Sequence, residues 1–265
     1  MFSWIYDLPN WAMFVLFVTV ALAVCWGAVF LLRPVMDRLF GDDDHEQRNS
    51  LLELVLTGTG LFYGLLLGLI AAATYTTYSE ASASVANEAT TIAALYRDVS
   101  GYSEPLRSQL RGDLEGYVDY VIDVYWPMQQ RGETSPEGVY RVDEIQRNLM
   151  KYEPATPGQE AVHGEAFSQL NSFTQARREM LNSVSGSLPS ALWWVLVLGA
   201  LINLILMSML AVQRIAAHLL ISGLFAVFVA MMIFLIAAMD NPFLGEFSVA
   251  PEPFELLRRD LFNRA

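Results

Sequence analysis

Three histidines, His45, His163 and His218, stand in separate segments, and no two have the spacing of metal ligands. Five consecutive residues, Asp42, Asp43, Asp44, His45 and Glu46, could draw a cation, but contiguous side chains rarely converge on one ion. The tract reads as a solvated charged loop. No glycine loop that would cradle a phosphate and no nucleophile paired with a base is visible. The single cysteine, Cys25, lies in an apolar run, so an intrachain disulfide is impossible. These residues predict no catalytic, metal or cofactor site, and the chain is expected not to be an enzyme.

The chemistry that the side chains do suggest is the passage of ions. Gly60, Gly64 and Gly68 repeat every four residues and predict one flat helix face that permits close backbone contact within or between subunits. Two residues on, Phe62, Leu66 and Ile70 form a bulky stripe at the same spacing, on roughly the opposite face. Such a stripe either meets lipid or forms a hydrophobic neck around a pore axis, which would gate by dewetting. Beyond it come Thr74, Tyr75, Thr76, Thr77 and Tyr78, a run suited to a wetted mouth or to interfacial anchoring.

These residues must be held by membrane spans. Residues 11–32, 54–75, 191–212 and 217–239 are four apolar runs of more than twenty residues each, long enough to cross roughly 30 Å of hydrocarbon as helices. The chain is 54 % hydrophobic and 17 % charged, with a net charge of −12, and almost all the charge lies outside the four runs. Residues 77–188 alone hold sixteen acidic and nine basic side chains. That acidic balance argues against nucleic acid as a partner and fits cation enrichment near the protein. The N-terminus carries Asp7 and lacks the basic region of a cleavable signal peptide, so the first run is expected to remain a span.

The predicted fold is an all-α membrane protein with four transmembrane helices in a two-plus-two arrangement. Residues 1–76 hold spans one and two, 77–188 a helical extramembrane domain, 189–240 spans three and four, and 241–265 a turn and tail. A charged connection at 37–48 joins the first pair, and Ser50 with Glu53 has the spacing of a capping box that opens helix two. No proline occurs between Leu51 and Tyr102, which predicts one helix of nearly 50 residues. Ser103 is expected to cap an amphipathic helix over 104–130, with Leu106, Leu110, Leu114, Tyr117, Val121 and Val124 on its apolar face. Ser135 before Pro136, and Thr156 before Pro157 with Gln159, open two more helices, the last continuing toward span three.

Span four ends in Asp240, Asn241, Pro242, Phe243, Leu244, Gly245 and Glu246, where Asn-Pro and then Gly dictate a helix stop and a sharp turn. This turn resembles the Asn-Pro-Phe-Gly turn of bestrophins. More closely, the chain resembles the bacterial bestrophin-like membrane family. The matching pieces are Leu95, Tyr96 and Arg97; Trp126 and Pro127; Arg177 and Arg178; Leu188 and Pro189 with Trp193 and Trp194; His218; and the turn with Asp240 and Gly245.

The resemblance implies long helices between two membrane pairs and, in bestrophins, a pentamer whose second span lines an ion pore. Carried over by position, the neck falls on Phe62, Leu66 and Ile70. Leu244 interrupts the turn and only scattered Glu246, Glu252 and Glu255 follow it, so the calcium clasp of animal bestrophins is not expected. The expected partners are the lipid bilayer, inorganic ions and further copies of the chain. A non-conducting receptor or scaffold, whose helical domain binds a partner, is the alternative.

Arg33, Arg38, Arg48 and Arg214 lie in the short connections, and the positive-inside rule puts those in the cytoplasm. The protein is thus expected to be a multi-pass protein of the cell (inner) membrane, with termini and helical domain outside. Bestrophins have the reverse sidedness. Single cysteines at Ser3→Cys and Asn263→Cys should therefore react with an impermeant maleimide from outside the cell; labelling from the cytoplasm alone would refute this orientation.

Overall fold

The computed structural model describes residues 3–40, 45–184, 186–212 and 214–262. The acidic tract at Asp42, Asp43 and Asp44 and the labelling position Asn263 lie outside the described residues. Among the described residues there is no strand, and the chain divides into two compact units: Met1–Thr76 with Ser187–Asp240, and Thr77–Gly186 with Asn241–Ala265.

The first unit contains α1 (Asn10–Phe40), the start of α2 (His45–Asp98), α7 (Ser190–Ser208) and α8 (Ile215–Asp240). All four helices are long and apolar enough to cross a membrane. Helix is the fitting form, because each backbone polar group finds its partner within the segment. Side-chain donors then tie the helices together through backbone carbonyls. Tyr6 Oη donates to Ala237 O at 3.0 Å and Trp26 Nε1 to Leu219 O at 3.1 Å, which sets α1 antiparallel along α8. Tyr63 Oη of α2 donates to Leu196 O of α7 at 3.0 Å. Its ring lies so close to Gly199 that a Cβ there would come within 2.6 Å of ring carbons. At the other end Asn49 brackets Ala211, donating to its carbonyl at 2.9 Å and accepting from its N–H at 2.8 Å.

Helix α2 begins at His45, so Ser50 and Glu53 lie inside it and do not form the expected opening box. It runs unbroken for 54 residues, on the order of 80 Å, because no proline or exposed turn sequence interrupts it.

The second unit contains the rest of α2 with α3 (Leu106–Tyr120), α4 (Trp126–Gln130), α5 (Glu137–Met150), α6 (Pro157–Ser183) and α9 (Glu252–Asp260). Between α3 and α4 lies a single π-turn, Val121–Tyr125, in which Trp126 N–H reaches back to Val121 O. Pro127 has no N–H to give to the preceding turn, and the wider turn accommodates it. The extra residue rotates the apolar face by one position. Leu110, Leu114, Tyr117 and Val121 are buried as expected, but Val124 points outward and Tyr125 takes its place in the core.

The capping residues also shift slightly. At α3 the Glu104 carboxylate, not Ser103, accepts from Ser108 N–H, at 3.2 Å. Ser135 accepts from Glu137 N–H at 3.3 Å, and α5 begins one residue after Pro136. Thr156 Oγ1 takes Gln159 N–H at 3.3 Å while Gln159 Oε1 takes Ala155 N–H at 2.8 Å, a capping box offset by one residue. Helix α6 stops at Ser183 and α7 starts after Pro189, so the middle helices do not run on into span three. The tail is not loose: α9 buries Phe254 and Leu257 in the core of this unit.

One buried ion pair crosses that core. Arg177 Nη1 of α6 lies 3.3 Å from Glu88 Oε1 of α2, and the Tyr117 hydroxyl of α3 bonds to both. Burial pushes the Glu88 carboxyl up, and the charge of Arg177 with the Tyr117 hydroxyl only partly offsets it. A charge so deeply desolvated is tolerable only while paired. Arg177→Met is therefore expected to cost about 3–5 kcal/mol by stranding Glu88, and adding Glu88→Leu to recover part of that loss. Thermal unfolding of the detergent-solubilised protein measures both; an Arg177→Met protein as stable as the parent would dismiss the brace.

Candidate functional site

The part of α2 in the first unit has two sharply different sides. Tyr63, Leu67, Ile70 and Thr74, spaced four, three and four residues apart, are buried against the chain's own helices. Tyr63, Leu67 and Ile70 join Leu196 and Ala200 of α7 and Val229 and Ile236 of α8 in one cluster. Thr74 closes its hydroxyl onto Ile70 O at 2.9 Å, so it brings no unmet polar group inside.

The other side of the helix carries large apolar side chains that none of the described residues covers. Phe62 is 73 % exposed, Leu65 64 % and Leu69 70 %. Alongside them Gly64 and Gly68 are exposed, and a Cβ built on either meets nothing within 4 Å. Gly60 differs, since a Cβ there would stand 3.7 Å from Asn203 Oδ1. The close-approach glycines inside this unit are instead Gly199, beneath Tyr63, and Gly223, beneath Trp26.

The three bulky residues singled out by spacing thus part company. Phe62 faces outward, Leu66 is half-buried at the edge of the cluster, and Ile70 is only 3 % exposed within it. A four-residue repeat overshoots the 3.6-residue turn, so each step rotates further toward the core, and by the third the stripe has turned inward. Leu65 and Leu69, missed between the two stripes, occupy the exposed arc. The signal was present in the buried set, whose four-three-four spacing marks the inward face.

Followed at the helical period, the exposed side of α2 continues through Ala72, Thr76, Ser79, Ala83, Ala86 and Thr90 to Arg97, all exposed. Bulky apolar groups give way to small and hydroxyl side chains, then to one cation in the last turn. Thr76 returns its hydroxyl to Ala72 O at 3.0 Å, which keeps it satisfied without water. This side of α2 can therefore present a dry ring followed by a wettable surface if several copies meet around it.

The turn after span four is a packing device. Asp240 accepts from Leu188 N–H at 2.6 Å and from Trp193 Nε1 at 3.1 Å, holding the start of α7 against the end of α8. In the second unit Asn241 O accepts from Leu244 N–H at 3.1 Å and Pro242 O from Val249 N–H at 2.7 Å. Phe243 is buried against Trp126, whose indole N–H goes to Val249 O at 3.0 Å. Gly245 sits at a φ of 70°, a conformation a side chain would strain. Leu244 is accommodated within this turn and does not break it. His218 is likewise structural, buried with Nε2 3.3 Å from Met207 O.

Residues 17–254 match the Bestrophin-like domain. No curated protein matches the chain. Among solved structures, a crystal structure of a bacterial bestrophin homologue from Klebsiella pneumoniae, carrying a point mutation, aligns with a TM-score of 0.71. The identity is 11 %, over 94 % of this chain and 98 % of that one. The crystal structure of a membrane protein gives a TM-score of 0.69 and 11 % identity, over 94 % and 97 %. At that identity the likeness is one of fold.

Proposed function

Because the chain belongs to the bestrophin-like family, we propose that it is an oligomeric membrane ion channel whose α2 lines the conducting path. The observation that carries this reading is the exposed arc of α2. A lone span facing lipid needs no division of labour along its surface. Here one half of the arc is bulky, with Phe62, Leu65 and Leu69, and the other is smooth, with Gly64 and Gly68. A glycine face on one copy lets the next approach closely without steric conflict, so a ring of identical helices can close with the bulky side chains turned to its axis. Five copies are the number that the resemblance to bestrophins suggests.

In such a ring the neck comprises Phe62 and Leu66, joined by Leu65 and Leu69, while Ile70 remains in the core of each subunit. A constriction of this kind blocks ions by expelling water, and widening or wetting it admits them. The run from Ala72 to Thr90 then forms a hydrophilic vestibule, and Arg97 a charged ring near its end. The units built from 1–76 with 189–240 and from 77–188 with the tail at 241–265 serve as pore module and vestibule respectively. On this reading the protein moves inorganic ions across the cell membrane and performs no bond chemistry. The arginines of the short connections keep the vestibule on the outside.

The test is electrical. Purified protein in planar bilayers should carry current with a reversal potential that shifts under a salt gradient. Leu65→Asn and Leu66→Asn should each raise that current severalfold by wetting the neck, whereas Ile70→Asn should reduce the yield of folded protein. A silent protein, or asparagine variants that leave ion flux unchanged, would favour the receptor or scaffold instead.

A further inference from the structure

The first unit carries a second feature that the pore reading does not use. A groove of 340 Å³ lies between α1, α7 and α8, and every side chain lining it is aliphatic or aromatic. Trp4 and Trp193 mark one end and Val24 and Leu204 the other. Ala21 and Ala200 lie between, and their small size leaves the space unfilled. Trp193 spends its indole N–H on Asp240, so it offers the groove only carbon.

Dimensions decide what fits. From Trp193 to Leu204 the helix advances roughly 16 Å, close to the depth of one leaflet, about half of a 30 Å hydrocarbon layer. Spread over that length, 340 Å³ corresponds to a cross-section on the order of 20 Å². A helix, roughly 10 Å across, cannot enter so thin a slot, whereas a single hydrocarbon chain can. Below the two tryptophans the wall has no hydrogen-bonding side chain, which excludes any occupant that brings polar atoms to that depth.

The charge at the mouth selects further. Trp4 is followed three residues later by exposed Asp7, whereas Asp240, beside Trp193, is buried with both oxygens engaged. The unit's arginines lie away from that mouth, Arg33 and Arg38 in the last turns of α1, Arg214 just before α8 and Arg48 near the start of α2. A headgroup that bears an ammonium finds a counterion in Asp7, which a purely anionic one does not.

We propose that this groove holds one acyl chain of a phospholipid from the leaflet at the Asp7 end, with an ethanolamine-type headgroup beside Asp7. The lipid completes the α1–α7–α8 packing as a fitted part of the subunit. The site is independent of conduction and stands whether or not α2 lines a pore.

Native mass spectrometry of the full chain tests it, after exchange into mixed micelles containing equal phosphatidylethanolamine and phosphatidylglycerol. The parent protein should retain one phosphatidylethanolamine per chain. Ala21→Phe fills the floor and Val197→Trp fills the groove from its exposed rim, so one variant remains informative if the other misfolds. Each should lose most of the retained lipid while unfolding at an unchanged temperature. Asp7→Asn should keep a lipid but lose the preference for phosphatidylethanolamine. A parent protein free of phospholipid, filled variants that retain as much as the parent, or a preference for phosphatidylglycerol would overturn the proposal. So would a disulfide between copies through Val197→Cys, which would put a second chain there.

Discussion

Everything in this protein answers to one constraint: a backbone that enters hydrocarbon must satisfy its own hydrogen bonds before it does anything else. That requirement makes the spans helices, but it also makes them nearly indifferent to one another, since lipid tails are as apolar as leucine. Specific contacts must then come from shape and from the few donors available. Tyr6, Trp26 and Tyr63 each carry a polar atom to a carbonyl on a neighbouring helix and use an aromatic ring to fill the space on the way. The second unit meets water and solves a different problem. It buries a large aliphatic and aromatic core and fixes its register with one charged pair, Glu88 and Arg177.

Most of the architecture was legible from the sequence because it rests on length and punctuation. The length of the apolar runs gives the spans, and the lack of proline before Tyr102 gives the continuity of α2. What was not legible depends on where a helix turns relative to its neighbours. Ile70 has the same residue type and spacing as Phe62 and Leu66, yet only the cluster around Leu196 reveals that it points inward. Val124 failed for a related reason. The π-turn before Pro127 adds a residue to the repeat, and no pattern of fixed period anticipates such a step. The groove along α1 was equally silent, since it arises from small residues on three separate helices.

Several of the pieces that carry the family resemblance share one character in the structure. Arg177 holds Glu88, Trp126 holds Val249 and Phe243, Trp193 and Leu188 hold Asp240, and His218 meets Met207. They brace the fold from within. The exposed arc of α2, by contrast, contributes little to the motif set except Arg97. An identity of 11 % at a TM-score of 0.71 shows that widely different sequences can hold one frame.

The contact of Tyr63 with Gly199 extends that point to how the frame can change over time. The ring occupies the volume that any side chain at 199 would need, and its hydroxyl is anchored one helical turn away at Leu196. Neither position is free to drift alone: a methyl group at 199 requires a smaller residue at 63, and a smaller residue at 63 leaves a gap and loses a tie between α2 and α7. Lineages that depart from this arrangement must therefore do so by paired replacement, so the two sites are expected to covary as a single inherited unit.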